Sequence, residues 1–311
     1  MDQAHTPVLL QEILFWLNPR PGGQYVDCTL GTGGIAQRVL ETSAPTGWLL
    51  GIDRDPQAVA FAKQRLSGFG ERVQCVCGNF CDLKAILHSA GVERVDGIVF
   101  DLGVSSMQLA DPARGFSFLH DGPLDMRMDP TTMSVTAADL VNTLPQRELA
   151  RLIGTYGEER YASRIARAIV RARTLSPFRT TAQLVSAIVQ AVPSSYRHGR
   201  RHCATRTFQA LRIAVNHELE ILEGALRDAV SLLKAGGRIC VLSFHSLEDR
   251  IVKRTFAALS KETPRQLTLL TKKPWTPSLA EQQANPRSRS AKLRVGERIA
   301  SDEQGVQVVG S

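Results

Sequence analysis

Asp27, Asp53 and Asp101 each close an apolar run, and the first opens directly into glycines: Tyr25-Val26-Asp27-Cys28-Thr29-Leu30-Gly31-Thr32-Gly33-Gly34-Ile35-Ala36. A strand that stops at an acid and turns through closely spaced glycines into a helix sets backbone N–H groups against a ligand. Asp53 lies 22 residues after Gly31, at the end of Gly47-Trp48-Leu49-Leu50-Gly51-Ile52-Asp53. There an open α/β sheet presents an acceptor to ribose hydroxyls. The chemistry indicated is the holding of an adenosine cofactor. Gly31, Gly33 and Ala36 fit the relaxed pattern G-x-G-x-x-G/A, so a nicotinamide or flavin nucleotide is one reading. S-adenosylmethionine is another, because its adenosine needs the same ribose acceptor while its middle is an amino acid in place of a pyrophosphate.

Further strands are needed to bring these acids to one edge. Val73 to Cys77 predicts a third strand, leading into Gly78-Asn79-Phe80, and Val95 to Asp101 a fourth, again finished by an acid. Carboxylates repeated at one edge of a parallel sheet are costly unless a ligand uses them. His5 to Leu17 reads as an extended entry and an amphipathic helix, and Pro56 starts a helix after Asp53-Arg54-Asp55. From Leu102 to Pro130 the chain is turn-rich and reads as a structured loop over the active-site edge.

From Ala137 to Leu211 the signals are helical: Glu148 to Ile153, Tyr161 to Arg173, Thr180 to Val192, then Thr205 onward. Residues 151–212 hold twelve arginines, two acids (Glu158, Glu159) and no lysine. Arg160, Arg164, Arg167 and Arg171 make one helical stripe, and Arg200 and Arg201 follow nearby. Guanidinium groups clustered without acids fit phosphate binding. The sheet is expected to resume near residue 213, with a helix from Asn216 to Leu233 stopped by Lys234-Ala235-Gly236-Gly237 and a strand from Arg238 to Ser243. His245 then reads as a general base or as a loop anchor. Leu267 to Thr271 and Lys292 to Val295 are expected as antiparallel edge strands, and residues after Ala300 as disordered. The expected organisation is a discontinuous Rossmann-like domain, 1–108 with 213–311, and an inserted basic helical domain, 109–212.

With 311 residues and 43% hydrophobic content, the chain can bury a full core. Its apolar runs are strand-sized, so no membrane span is expected, and without a basic leader before an apolar run a cytoplasmic address is expected. The net charge of +8 points to an anionic partner. Cys75, Cys77 and Cys81 lack a neighbouring histidine, and Cys75 and Cys77 share a strand face, so core packing is expected, with neither disulfides nor a metal site.

Several blocks together closely resemble the bacterial ribosomal RNA small subunit methyltransferase H family, also called MraW. They are His5-Thr6-Pro7-Val8-Leu9-Leu10, Asp101-Leu102-Gly103-Val104-Ser105-Ser106, Arg114-Gly115-Phe116-Ser117-Phe118, Gly122-Pro123-Leu124-Asp125-Met126-Arg127-Met128, Tyr156-Gly157-Glu158-Glu159-Arg160, Ala204-Thr205-Arg206-Thr207-Phe208-Gln209-Ala210, Ser243-Phe244-His245-Ser246-Leu247-Glu248-Asp249-Arg250 and Asn285-Pro286-Arg287. The resemblance implies a class I S-adenosylmethionine-dependent methyltransferase sheet with a helical insertion. It also implies N4-methylation of a cytidine in the decoding centre of 16S rRNA, on the small ribosomal subunit or a late assembly intermediate. It carries cofactor contacts onto Gly33, Gly34, Ile35, Asp53, Phe80, Asp101 and Gln108. Ile35 departs from the histidine usual in the family, which leaves its backbone amide for the contact. Asp101 is the candidate to accept a proton from the amino group. Asp101-Leu102-Gly103-Val104 lacks the prolines and aromatic of the D/N-P-P-Y/F signature of other amino methyltransferases.

Overall fold

The computed structural model describes residues 7–197, 199 and 201–300. Helix and strand alternate first: α1 (Leu10–Leu17), β1 (Gln24–Asp27), α2 (Gly34–Thr42), β2 (Trp48–Asp53), α3 (Pro56–Leu66), β3 (Val73–Cys77), α4 (Leu83–Ser89) and β4 (Val95–Asp101). Seven helices follow: α5 (Ser106–Ala110), α6 (Ala137–Thr143), α7 (Gln146–Gly157), α8 (Ala162–Arg173), α9 (Thr181–Ala191), α10 (Ser194–Arg197) and α11 (Thr205–Asn216). The chain closes with α12 (Leu222–Leu232), β5 (Leu233–Ser243), α13 (Ser246–Leu259), β6 (Leu267–Leu269), α14 (Leu279–Ala284) and β7 (Lys292–Arg298). No helix among the described residues is long and apolar enough to cross a membrane. The expected disorder after Ala300 falls outside the described residues, as do Arg200, His5 and Thr6.

Two compact units divide the chain, residues 1–103 with 221–311 and residues 104–220, against the expected junctions at 108/109 and 212/213. The first unit is built on one sheet in the order β3-β2-β1-β4-β5-β7-β6. The first five strands are parallel neighbours, and β7 is antiparallel to both β5 and β6. This is the Rossmann-like sheet expected of the first unit, with one strand reversed. Lys292 to Val295 was expected at the edge, but β7 lies inside, and the three-residue β6 is the edge strand.

The strands read as continuous apolar runs because both faces are covered. Val26, Leu50, Ile98, Phe100 and Val241 face α4, α12 and α13, whose Leu87, Leu226 and Phe256 close that side. Tyr25, Leu49, Val99, Cys240 and Leu242 face the other way, onto Ile13 and Leu17 of α1, Val39 and Leu40 of α2 and Leu66 of α3. The helix expected over Asn216 to Leu233 begins six residues later. α11 runs to Asn216 and stops at His217, whose φ is +53°, and α12 starts at Leu222. α12 ends at Leu232, and Lys234 to Gly237, expected as its stop, is an irregularity inside β5. Leu233 pairs with Val95 and Arg238 with Gly97, and Gly236 turns at φ +75°. Cys75 is half-buried and packs against the core as expected, whereas Cys77 is exposed because β3 is the other edge strand, and Cys81 is half-buried; Cys28, Cys203 and Cys240 are buried.

The second unit has its own apolar core, formed among others by Met126, Leu149, Ile153, Ile165, Ile169, Leu184, Ile188 and Leu211. Two buried polar side chains hold the loop before α6. Asn216 accepts from Met128 N–H and donates to the carbonyls of Met126 and Arg212, and Arg114 donates to the carbonyls of Arg127 and Met128. At Gly157, the end of α7, a Cβ would stand 2.5 Å from the Arg206 carbonyl oxygen of α11, so only glycine permits this approach.

Candidate active site

The strand order reverses between β1 and β4, and in an open parallel sheet the crevice at the carboxyl ends of such strands is where a ligand sits. Asp27 ends β1, Asp53 ends β2 and Asp101 ends β4, so the first unit brings the three sequence-predicted acids to one edge. The glycine loop is stitched to both flanking strands. Cys28 N–H donates to the Val99 carbonyl at 2.9 Å, and Leu30 N–H to the Ile52 carbonyl at 2.8 Å.

Gly31 (φ +50°) and Gly33 (φ +79°) turn the loop into α2, and Gly33 caps that helix without a side-chain hydrogen bond. A Cβ on Gly34 would stand 2.8 Å from Pro7 Cγ, so this glycine is demanded by packing as well as by approach. Ile35 projects into the apolar core at 4% exposure, which takes its side chain out of ligand contact and leaves the N–H groups of the first turn of α2.

Asp53 braces the loop, its Oδ2 accepting from Gly31 N–H at 2.7 Å and its Oδ1 from Asp55 N–H at 2.9 Å. Burial raises its pKa above the ordinary carboxylate value against these donors. Phe80 follows β3, half-buried, with its ring edge-on to Phe100 at 5.5 Å. Burial, then the charges of Asp27 and Glu248, push the Asp101 carboxyl up to about 8. Asp27 is pushed up to about 7, by burial first, opposed by the Thr29 N–H and reinforced by the charge of Asp53.

Two residues of this edge escaped the sequence reading. Thr29 accepts from Asp101 N–H at 2.6 Å and so ties the loop to β4. Glu248, 2% exposed, accepts from the N–H groups of Phe244 and His245 at 2.8 and 3.3 Å. The Ser243-to-Arg250 block was the available signal for Glu248; Thr29 carried none. His245 caps α13, its Nδ1 accepting from Glu248 N–H at 3.4 Å and its Nε2 lying 3.1 Å from Glu248 Oε1. Of the two readings of His245, the loop anchor is the one its contacts describe.

Gln108 belongs to the second unit, where its Oε1 accepts from Ser105 N–H at 3.0 Å in the capping box of α5. The arginine stripe lies in the same unit. Arg160, Arg164, Arg167 and Arg171 are exposed, as is Arg201. Arg160 is held between Tyr161 and Tyr196, 4.8 and 4.7 Å from their ring centres, and Tyr196 Oη donates to the buried Glu159 at 2.6 Å. Other arginines of the cluster serve the fold: Arg173 donates to the carbonyls of Val141 and Leu144, Arg206 to that of Glu158, and Arg212 pairs with Glu218 at 2.8 Å.

Among curated relatives, the ribosomal RNA small subunit methyltransferase H of Geobacter sp. (strain M21) is 53% identical, over 96% of this chain and 99% of its own length. That of Geobacter sulfurreducens is 52% identical, over 96% of this chain and 100% of its own. A solved structure, the putative rRNA-methylase from Clostridium thermocellum, aligns over 94% of each chain with a TM-score of 0.46 and 13% identity. The family described as the MraW methylase family matches residues 2–299. A match of that extent leaves almost nothing of either unit outside it, so the chain belongs to the MraW methylase family and is an S-adenosylmethionine-dependent methyltransferase.

Proposed function

We propose that this enzyme methylates the exocyclic N4 of a cytidine in the decoding centre of 16S rRNA, acting on the small ribosomal subunit or a late assembly intermediate in the cytoplasm. The observation that carries the reading is identity above 50% along the whole chain to relatives named as small-subunit rRNA methyltransferases. The first unit fits the cofactor, since Asp101 keeps a buried carboxylate oxygen without a donor at the end of β4, beside the strand that opens into the glycine loop.

Asp53 takes the ribose hydroxyls and Phe80 packs on the adenine. The N–H groups of Gly33, Gly34 and Ile35 meet the carboxylate of the amino-acid arm, where a helix N-terminus favours an anion. Asp101 and Gln108 are proposed as the remaining contacts. S-adenosylmethionine supplies a methyl group on a sulfonium, a good leaving group. The cytosine amino nitrogen is a weak nucleophile, its lone pair delocalised into the ring. Positioning it and accepting its proton are therefore the contributions left to the protein. Asp101, whose carboxyl is pushed up to about 8, holds such a proton firmly once it has been ionised. The exposed arginines at 160, 164, 167, 171 and 201, together with Arg200, are proposed to hold phosphates beside the target base, which must leave its stack to be reached.

Purified protein, S-adenosylmethionine and small subunits from cells lacking this gene, followed by nucleoside mass spectrometry of digested 16S rRNA, test the reading. A single new N4-methylcytidine is expected. No methylation of subunits at any assembly stage, with cofactor binding intact, overturns it.

A further inference from the structure

Two carboxylates end the neighbouring strands β1 and β4, and each keeps a buried oxygen without a hydrogen-bond donor, Oδ2 of Asp27 and Oδ1 of Asp101. Thr29 joins them. Its N–H donates to Asp27 Oδ1 at 3.1 Å, and its Oγ1 accepts from Asp101 N–H at 2.6 Å. Asp27, 1% exposed, has no part in the cofactor contacts assigned above. The groups facing the pair from other elements are Asp53 on β2, Glu248 on α13 and the thiols of Cys28 and Cys75. The cations Arg54 and Lys63 act on Asp53 and Cys75. The charges acting most on Asp27 and Asp101 are thus acidic. Two carboxylates in such surroundings cannot both ionise cheaply, and the favourable arrangement is one proton for the two.

We propose that Asp27 is the proton partner of Asp101: the two carboxyls share one proton in the free enzyme near neutral pH, and Asp27 keeps it when an N–H donor reaches Asp101. Asp27 acts as a positioning residue, setting the proton affinity of its neighbour. When the amino nitrogen gives up its proton, the N–H bond breaks with its electron pair left on nitrogen, and an O–H bond forms at Asp101. The pair then carries two protons, one of which passes to water in the next opening of the site. The acceptor role of Asp101 rests on the function proposed above; the shared proton does not.

Carbon-13 NMR of the free protein, labelled at its aspartate carboxyls, reads the pair without substrate. Two carboxyls are expected to titrate above pH 6. In Asp27→Asn the Asp101 midpoint is expected to fall by about one pH unit, because a like charge has been removed. Coupling is reciprocal, so Asp101→Asn lowers the Asp27 midpoint and decides the matter if Asp27→Asn does not fold. Midpoints unmoved in the variants, or both carboxyls titrating below pH 5 in the natural protein, overturn the pair. In the methylation assay, Asp27→Asn is expected to move the acid limb of the pH profile to lower pH. A natural protein that shows the coupled titration but methylates no small subunit removes the proposed function and leaves the pair standing.

Discussion

Asp53 is the residue whose replacement speaks most directly to the cofactor. Asp53→Ala is expected to raise the dissociation constant for S-adenosylmethionine by about 10- to 100-fold, the scale of hydrogen bonds to a charged group. Isothermal titration checks it, and an unaltered constant removes the ribose assignment. Part of that loss comes through the loop, since Gly31 N–H also leans on this carboxylate. Asp53 and Asp101 were legible in the sequence because an acid at the end of an apolar run has few structural reasons to be there. Thr29 was not, since a threonine in a loop carries no mark of the strand its hydroxyl will meet. Ile35 was legible only as a departure; its burial required knowledge of which way the first turn of α2 faces.

At the scale of elements, the exposed face of α8 carries the next prediction. Replacing Arg164, Arg167 and Arg171 together by alanine is expected to weaken binding to small-subunit rRNA by at least about tenfold. It is also expected to reduce the salt dependence by about three phosphate contacts, with cofactor affinity unchanged. Filter binding at several salt concentrations reads both quantities. Arg160 is left out of the triple because two tyrosines hold it, so its loss would disturb the fold as well as the surface. The stripe was legible from its spacing, whereas the arginines that serve carbonyls, such as Arg173, were not, because composition counts charges and not their partners. Asn216 shows the same limit. It reads as a helix-terminal residue, yet it satisfies two backbone groups of a loop some 90 residues earlier, besides the Arg212 carbonyl of its own helix. Asn216→Ala is expected to destabilise the second unit by about 2–3 kcal/mol, the cost of stranding buried polar groups, measurable by urea unfolding. The interior place of β7 was also hidden, since local pattern reveals a strand but not its neighbours.

For the whole molecule, the buried acids imply a stability that depends on pH in an unusual direction. Asp27 and Asp101 bind their protons more tightly folded, at about 7 and about 8, than in an unfolded chain, where the ordinary value is 3.8. Their contribution is therefore complete under acid conditions and is lost as pH rises through 7 and 8. Asp125, Asp129 and Asp249, where donated hydrogen bonds outweigh burial, lie below the ordinary value and act oppositely, losing their contribution as pH falls below about 4. The free protein is thus expected to melt a few degrees higher at pH 6 than at pH 9, and Asp101→Asn to flatten that slope, as scanning calorimetry can show. An equal melting point at both values contradicts the raised acids.

The interior position of β7 also bears on how the chain is made. Synthesis delivers residues 104–220 as one uninterrupted block whose core needs nothing from the rest of the sequence, so it can fold while the ribosome is still translating. The sheet cannot do so. β4 waits for β5 until that block has passed, and β5 then keeps an open side along Arg238 to Ser243 until residues 292–298 arrive to fill it. A nascent chain halted just short of Lys292 carries the glycine loop and every edge acid, yet presents an unpaired strand to its neighbours in the polysome.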